Sequence, residues 1–373
     1  MSKKSNATLS VFTRVVGSQW FVSVLAVLIA FLVGAILIAL TGASVTEAYY
    51  AMFRGAIVDP QAPTFVRTIK PLTDSVFFAI PLIVSGLGLA FGFRAGLFNI
   101  GGKGQMIMGA LAAVWVGFSL SLPPVVHTLV ALAAAIVAGA AYGGLAGVVK
   151  AKTGANEVIV TIMLNSIAAL ALGYVLTQPS WQKPGSNQPL TPNVADSAAL
   201  MAFFKGPIKL HAGLVVALIA LALFWWTMER STLGFQIRAV GANAAAARTA
   251  GISVERITAV TMVISGAFLG LAGANEALGT LGYVSRDVAG SIGFDAITVA
   301  LLGRNKAWGT FGAGLLFGAF KAGGYAMHAK DVPIDMILIL QSVIVLLIAA
   351  PALVRWLFRL PDAKRLAASG KGE

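Results

Sequence analysis

The chain has 373 residues, 58% hydrophobic and only 11% charged, with a formal net charge of +13 and no cysteine. Soluble domains carry about a quarter of their residues as charges, so this composition specifies an all-α polytopic membrane protein. Disulfides, thiolate metal sites and cysteine nucleophiles are excluded. A nucleic-acid partner is not expected either, because the basic residues sit in short loops between apolar runs.

Ten spans are predicted, at about 20–41, 75–93, 104–121, 125–149, 157–177, 211–228, 257–275, 291–303, 308–327 and 333–354. The N-terminus MSKKSNATLSVFTRVVGSQW is basic and leads into an apolar run of membrane-spanning length. That run exceeds a signal-peptide core and lacks a small-residue cleavage site, so it is expected to be a retained first helix. The eighth span is short for a full crossing. Loops on the side of the N-terminus carry more than twice the Lys and Arg of the opposite loops. This asymmetry predicts both termini in the cytoplasm.

Between the second and third spans lies GLFNIGGKGQMIMGA, residues 96–110, with five glycines around Asn99, Lys103 and Gln105. Such glycine density breaks a helix and frees backbone groups that must line a polar cavity or face water. It is not a phosphate loop. The Walker pattern requires glycine where Leu97 stands and Ser or Thr where Gly104 stands.

Next comes GANEVIVTIMLNSIA, residues 154–168, where Glu157, Thr161 and Asn165 recur every fourth residue and so share a helical face. A polar stripe on a membrane helix points at protein or water. It serves either a substrate path or interhelical hydrogen bonding, with Asn156 also placed to cap the helix. The outside segments 42–74 and 178–210 are long. The second is rich in proline and polar residues and reads as a lid, a landing surface or a solvated connector.

The stretch 229–256 is a basic interruption, STLGFQIRAVGANAAAARTAGISVERI with Arg230 before it. Ala244 to Thr249 is a strong helix-forming run, Asn243 is placed to cap it, and Gly251 supplies a stop. A short helix on a basic loop between spans is either a docking surface for a soluble partner or a loop whose arginines only set topology. Further on, Asn275, Glu276, Asp287, Asp295, Arg304 and Lys321 lie at or near membrane depth, where charges pair or serve a pathway. Glycines within the spans, such as Gly139, Gly143 and Gly147, read as packing seams. The tail 355–373 is basic and expected near anionic headgroups. No HExxH, GxSxG or carboxylate–histidine set is present, so neither a catalytic residue nor a metal site is expected.

The motifs GLFNIGGKGQMIMGA, TGANEVIVTIMLNSIA, STLGFQIRAVGANAAAARTAGISV and GFDAITVALLGRNKAWGT follow one another across residues 75–330. Together they resemble the permease subunit of bacterial ATP-binding-cassette importers. The resemblance is to the nucleoside (guanosine) and simple-sugar branch of the branched-chain amino acid and ribose permeases. Lys103 departs from it, standing where an acidic residue is expected.

The resemblance implies a single permease domain over residues 1–373, with two inverted halves formed by helices two to five and seven to ten. It implies a multi-pass protein of the bacterial cell membrane that binds no cofactor, ATP-Mg being used by a partner ATPase. The expected partners are that cytoplasmic ATPase, a second homologous permease, an extracytoplasmic substrate-binding lipoprotein and membrane lipid. Alternative cargoes are ribose-like sugars or branched-chain amino acids. An ion-coupled secondary transporter is the rival class, with Glu157 and Asp295 as its ion-binding carboxylates.

A nucleoside offers a flat base with several donors and acceptors, so its path calls for amide side chains and aromatic faces. Phe98, Asn99, Gln105, Asn156, Glu157 and Asn165 are the expected pathway residues. Arg238, Gly241, Asn243, Ala246, Arg248 and Gly251 are the expected residues of the ATPase-coupling loop. Gly241 and Gly251 are expected to free the chain at either end of its helix, and Arg238 and Arg248 to meet acidic groups on the ATPase.

Overall fold

A computed structural model describes residues 19–204 and 206–329, with a few isolated positions between 333 and 347. The basic N-terminus, most of the tenth predicted span (333–354) and the tail 355–373 lie outside the described residues. The described chain is helical, with one isolated bridge between Ala202 and His211 and no strand. Among the described residues, five helices are long and apolar enough to cross a membrane: Phe65–Arg94, Val126–Thr153, Glu157–Val175, Gly213–Arg230 and Val254–Leu281.

Two compact units divide the chain, one from residues 1–56 and 320–373, the other from 57–319. In the first unit, α1 (Gln19–Leu40) packs on α2 (Val45–Ala56). Ala30, Ile38, Ala48, Met52, Phe320 and Met327 form its apolar cluster, and the Phe31 and Tyr49 rings meet edge-on at 5.4 Å. The presence of α2 corrects the expectation of a loop over 42–74. Its Met52 and Ala56 are buried, although Thr46, Glu47 and Arg54 make the segment too polar to read as a span.

The second unit is built around α3 (Phe65–Arg94), α4 (Gly102–Ser119), α5 (Val126–Thr153), α6 (Glu157–Val175), α7 (Gly213–Arg230) and α10 (Val254–Asn275). Helix α3 begins about ten residues before its predicted start and is 30 residues long, about 45 Å at 1.5 Å per residue. Its buried run from Ala79 to Gly92 has almost no polar side chain, so it forms the centre of the unit. Helix α10 packs against α5, α3 and α4 and passes into a π-helical turn, Glu276–Leu281. Short α11 (Ile292–Leu302) lies against α3, and α12 (Ala307–His328) starts in this unit.

The α5–α10 seam is made of glycine. A Cβ on Gly139 would stand 2.3 Å from the Gly266 carbonyl oxygen, and one on Gly270 would stand 2.3 Å from that of Ala135. Lipid supplies no hydrophobic drive between helices, so this close backbone approach and its dispersion contacts hold the pair together.

Segment 178–210 is not a solvated connector. Its backbone binds the ends of helices: Ala195 N–H donates to Gly117 O at 2.9 Å, Val194 N–H to Gly282 O at 2.9 Å and Leu200 N–H to Leu278 O at 3.0 Å. Thr191 and Ala198 are fully buried. His127 is tied to it as well, with Nδ1 2.8 Å from Ser197 Oγ.

Candidate functional site

Five of the six expected pathway residues, Phe98, Asn99, Gln105, Glu157 and Asn165, meet at the non-helical loop 95–101 between α3 and α4, while Asn156 caps α6. Helix α6 lashes this loop with its polar stripe. Glu157 Oε1 accepts from Phe98 N–H at 3.3 Å, Thr161 Oγ1 from Ile100 N–H at 3.2 Å, and Asn165 Oδ1 from Gly104 N–H at 2.8 Å. Asn165 Nδ2 also donates to Ile100 O at 2.9 Å. The four-residue spacing therefore does one identifiable job: it satisfies backbone groups of the loop and of the first turn of α4, which have no helical partner of their own.

From the other side, Asn99 Nδ2 donates to Ser265 Oγ of α10 at 2.9 Å, and Gln105 Nε2 donates to Asn99 Oδ1 at 3.2 Å. Asn99 and Gln105 are 0% and 1% exposed. In this conformation the three amides are engaged with protein, and the Phe98 ring, 39% exposed, is the open member of the group. Asn156 is the N-cap of α6, accepting from Val158 N–H at 2.9 Å. Glu157 also pairs with Lys150 at 2.9 Å, which closes the α5–α6 turn. Of the ionisable residues at depth, Asp295 accepts from the Ser291 hydroxyl at 2.6 Å in the first turn of α11.

The coupling stretch folds as two helices, α8 (Thr232–Ala242) and α9 (Ala244–Thr249). Asn243 Oδ1 accepts from Ala246 N–H at 3.0 Å, so the cap forms as the sequence requires. Gly251 follows with φ +82°, the left-handed stop that glycine adopts without strain. Gly241 departs from expectation. It is inside α8 and pressed on α3, where a Cβ would stand 2.1 Å from Arg94 O, so it is a packing contact and not a hinge.

Arg248 also departs from expectation: its guanidinium is already paired with Glu255 at 2.6 Å. Arg238 keeps one buried Nη1 that meets no acceptor among the described residues. Between α8 and α9 lies a groove of about 470 Å³, lined by Phe235, Gln236, Ala239, Asn243, Ala246 and Ala250. Phe235 is 60% exposed there.

One polar cluster was only half visible in the sequence. Asn275, flagged merely as an amide at depth, is 1% exposed and neither side-chain polar atom has a partner among the described residues. His211 is 2% exposed, accepts from Gly213 N–H at 3.1 Å through Nδ1, and leaves Nε2 unpaired. Both pack around Gly213 at the start of α7, beside the π-turn. The π-turn has no local sequence signal that would have drawn attention to them. Among the described residues, no three His, Asp or Glu side chains gather as a metal set.

The family described as "Branched-chain amino acid transport system / permease component" matches residues 72–349. The chain is 38% identical over 345 residues to the guanosine ABC transporter permease protein NupP of Bacillus subtilis, covering 91% of this chain and 95% of that one. It is 36% identical to the glucose ABC transporter permease protein TsgB13 of Haloferax volcanii, covering 78% and 79%. It is 31% identical to the nucleoside ABC transporter permease protein NupB of Lactococcus lactis, covering 93% and 95%. No solved structure matches the chain. Apolar helices around an internally satisfied loop, with a capped helix on a basic turn, are thus found in a chain that belongs to the permease-component family of branched-chain amino acid transport systems, a membrane-embedded ABC transporter subunit and not an enzyme.

Proposed function

We propose that this chain is a nucleoside-importing permease working by alternating access, driven by a separate cytoplasmic ATPase. The observation that carries the substrate reading is the similarity to a guanosine permease at 38% identity and to a second nucleoside permease at 31%, each over about nine-tenths of the chain. A sugar is the second reading, favoured by the 36% identity to a glucose permease. A branched-chain amino acid follows from the family description alone.

In this reading the whole chain is one permease domain of ten spans. It has two inverted halves, both termini in the cytoplasm, and segment 178–210 as the outer cap beneath an extracytoplasmic binding lipoprotein. A second homologous permease completes the pore. Helix α9 couples to the ATPase, which uses ATP-Mg, and this chain binds no cofactor. The substrate passes beside loop 95–101, where the open Phe98 ring offers a stacking face. Asn99, Gln105, Glu157 and Asn165 hold the loop in position, and Asn156 caps the helix that carries Glu157 and Asn165.

The test is uptake into proteoliposomes reconstituted with the chain, its partner permease and the ATPase, with the binding protein added outside. ATP-dependent guanosine uptake is expected, competed by other nucleosides and not by glucose or leucine. Uptake that persists without ATP and follows an ion gradient would overturn the importer reading. Competition by glucose alone would replace the nucleoside with a sugar.

A further inference from the structure

A cavity of about 610 Å³ is lined by none of the six expected pathway residues and none of the six named for the coupling loop. It lies where Arg94 closes α3, Glu229 and Arg230 close α7, and Lys306 leads into α12. Arg94 meets Glu229 at 3.2 Å, which offsets one charge and leaves the lining with an excess of two cations. Arg94 Nε is also buried without an acceptor among the described residues. Arg230 stands over the Trp225 ring, 5.6 Å from its centroid, and Lys306 is exposed. Trp308, on the opposite wall, is 70% exposed.

Tryptophan left open at the end of a membrane helix sits at headgroup level, with its ring in the acyl boundary and its N–H in the wet layer. Cations at that same level attract anionic headgroups, and a basic pocket between spans concentrates the effect. The first-turn amides of α12 add donors suited to phosphate oxygens.

We propose that this cavity binds an anionic glycerophospholipid. Its phosphodiester sits between Arg230 and Lys306, its glycerol backbone lies against Trp225 and Trp308, and its acyl chains run along α7. A small soluble anion would use the two cations and have no use for the aromatic walls. The proposal rests only on the chain being embedded in a membrane, not on what it transports.

The test is native mass spectrometry of the full-length chain offered equal amounts of phosphatidylglycerol and phosphatidylcholine with the same acyl chains. Preferential retention of phosphatidylglycerol is expected. Each basic residue near the headgroups contributes about fivefold, so R230Q/K306Q should reduce the preference about 25-fold. R256Q, a change to an exposed arginine outside the cavity, should leave it unaltered. Equal retention of the two lipids, or an unchanged preference in the double variant, overturns the proposal. Displacement of phosphatidylglycerol by inorganic phosphate would assign the site to a free anion and equally overturn it. Should the double variant misfold, the unaltered chain still decides. Brominated phosphatidylglycerol should quench tryptophan fluorescence more than brominated phosphatidylcholine, with the excess reduced in W308F and lost in W225F/W308F. Equal quenching counts against the lipid. None of these readouts involves transport, so their failure leaves the importer reading untouched.

Discussion

Asn165 ties the loop to the helix that follows it, since its amide both donates to Ile100 O and accepts from Gly104 N–H in the first turn of α4. Asn165→Ala removes the partner of one buried and one part-buried backbone group, at about 1–3 kcal/mol for a fully buried one. A lower unfolding temperature of the purified chain and reduced guanosine uptake are therefore expected together. Unchanged thermal stability would mean that water or a neighbour takes over both bonds. His211 makes a separate prediction. Burial holds its pKa down to about 4, because the imidazolium would lose its hydration when packed against Phe77, Asn275, Gly213 and Gly279. In the unfolded chain the group titrates near 6.5, so the unfolded state binds the extra proton between the two values. Stability is then full above about pH 6.5 and falls as pH drops toward 4, by about 3 kcal/mol at most. His211→Gln should flatten that part of the stability–pH curve, as measured by thermal unfolding at fixed ionic strength. A slope unchanged in the variant would assign it to other groups.

At the scale of elements, the α5–α10 seam gives a sharp contrast. Gly270→Leu drives a side chain into the Ala135 carbonyl and should prevent the two helices from closing. Gly173→Ala, on α6 with nothing within 4 Å of the added carbon, should leave stability within about 0.5 kcal/mol. Yields of folded, monodisperse protein in detergent separate the two, and equal behaviour would refute the seam. The sequence announced this seam because glycines spaced four apart inside an apolar run have little other use. It announced the spans for the same kind of reason, since 18 or more apolar residues leave the backbone one way to satisfy itself in lipid. Helix α2 was illegible because Glu47 and Arg54 break the apolar run while Met52 and Ala56 still find a partner to bury against. The folding of segment 178–210 onto helix ends was hidden too, since proline-rich polar sequence looks alike whether its amides face water or carbonyls. At the site, spacing revealed that Glu157, Thr161 and Asn165 share a face, but only the structure shows that the face looks at loop 95–101.

At the scale of the whole molecule, the proposed coupling of α9 to a soluble ATPase requires a physical route from that helix to the spans. Helix α9 is a six-residue cylinder, capped by Asn243 at its start and stopped by Gly251 at its end, so it can act as one rigid piece. It shares the groove with α8, and α8 is pinned at Gly241 against the end of α3. On the proposed coupling, a displacement of α9 would press on α8, and α8 bears through Gly241 on the Arg94 carbonyl just before loop 95–101. The same loop is held by α6 and α10, so contiguous contacts join the proposed docking surface to the proposed substrate path. Filling the groove should sever this connection without disturbing the fold, because Ala246 is exposed. Ala246→Trp is expected to insert normally, to weaken co-purification of the ATPase, and to reduce ATP-driven uptake at least tenfold. Arg248→Ala should do much less, because its ion pair with Glu255 is exposed, screened by solvent and internal to the chain. The decisive measurement is uptake and ATPase retention for both variants in one preparation. Full transport by Ala246→Trp with the ATPase still bound would place the docking surface elsewhere, and a larger loss in Arg248→Ala would make charge, not shape, the basis of docking.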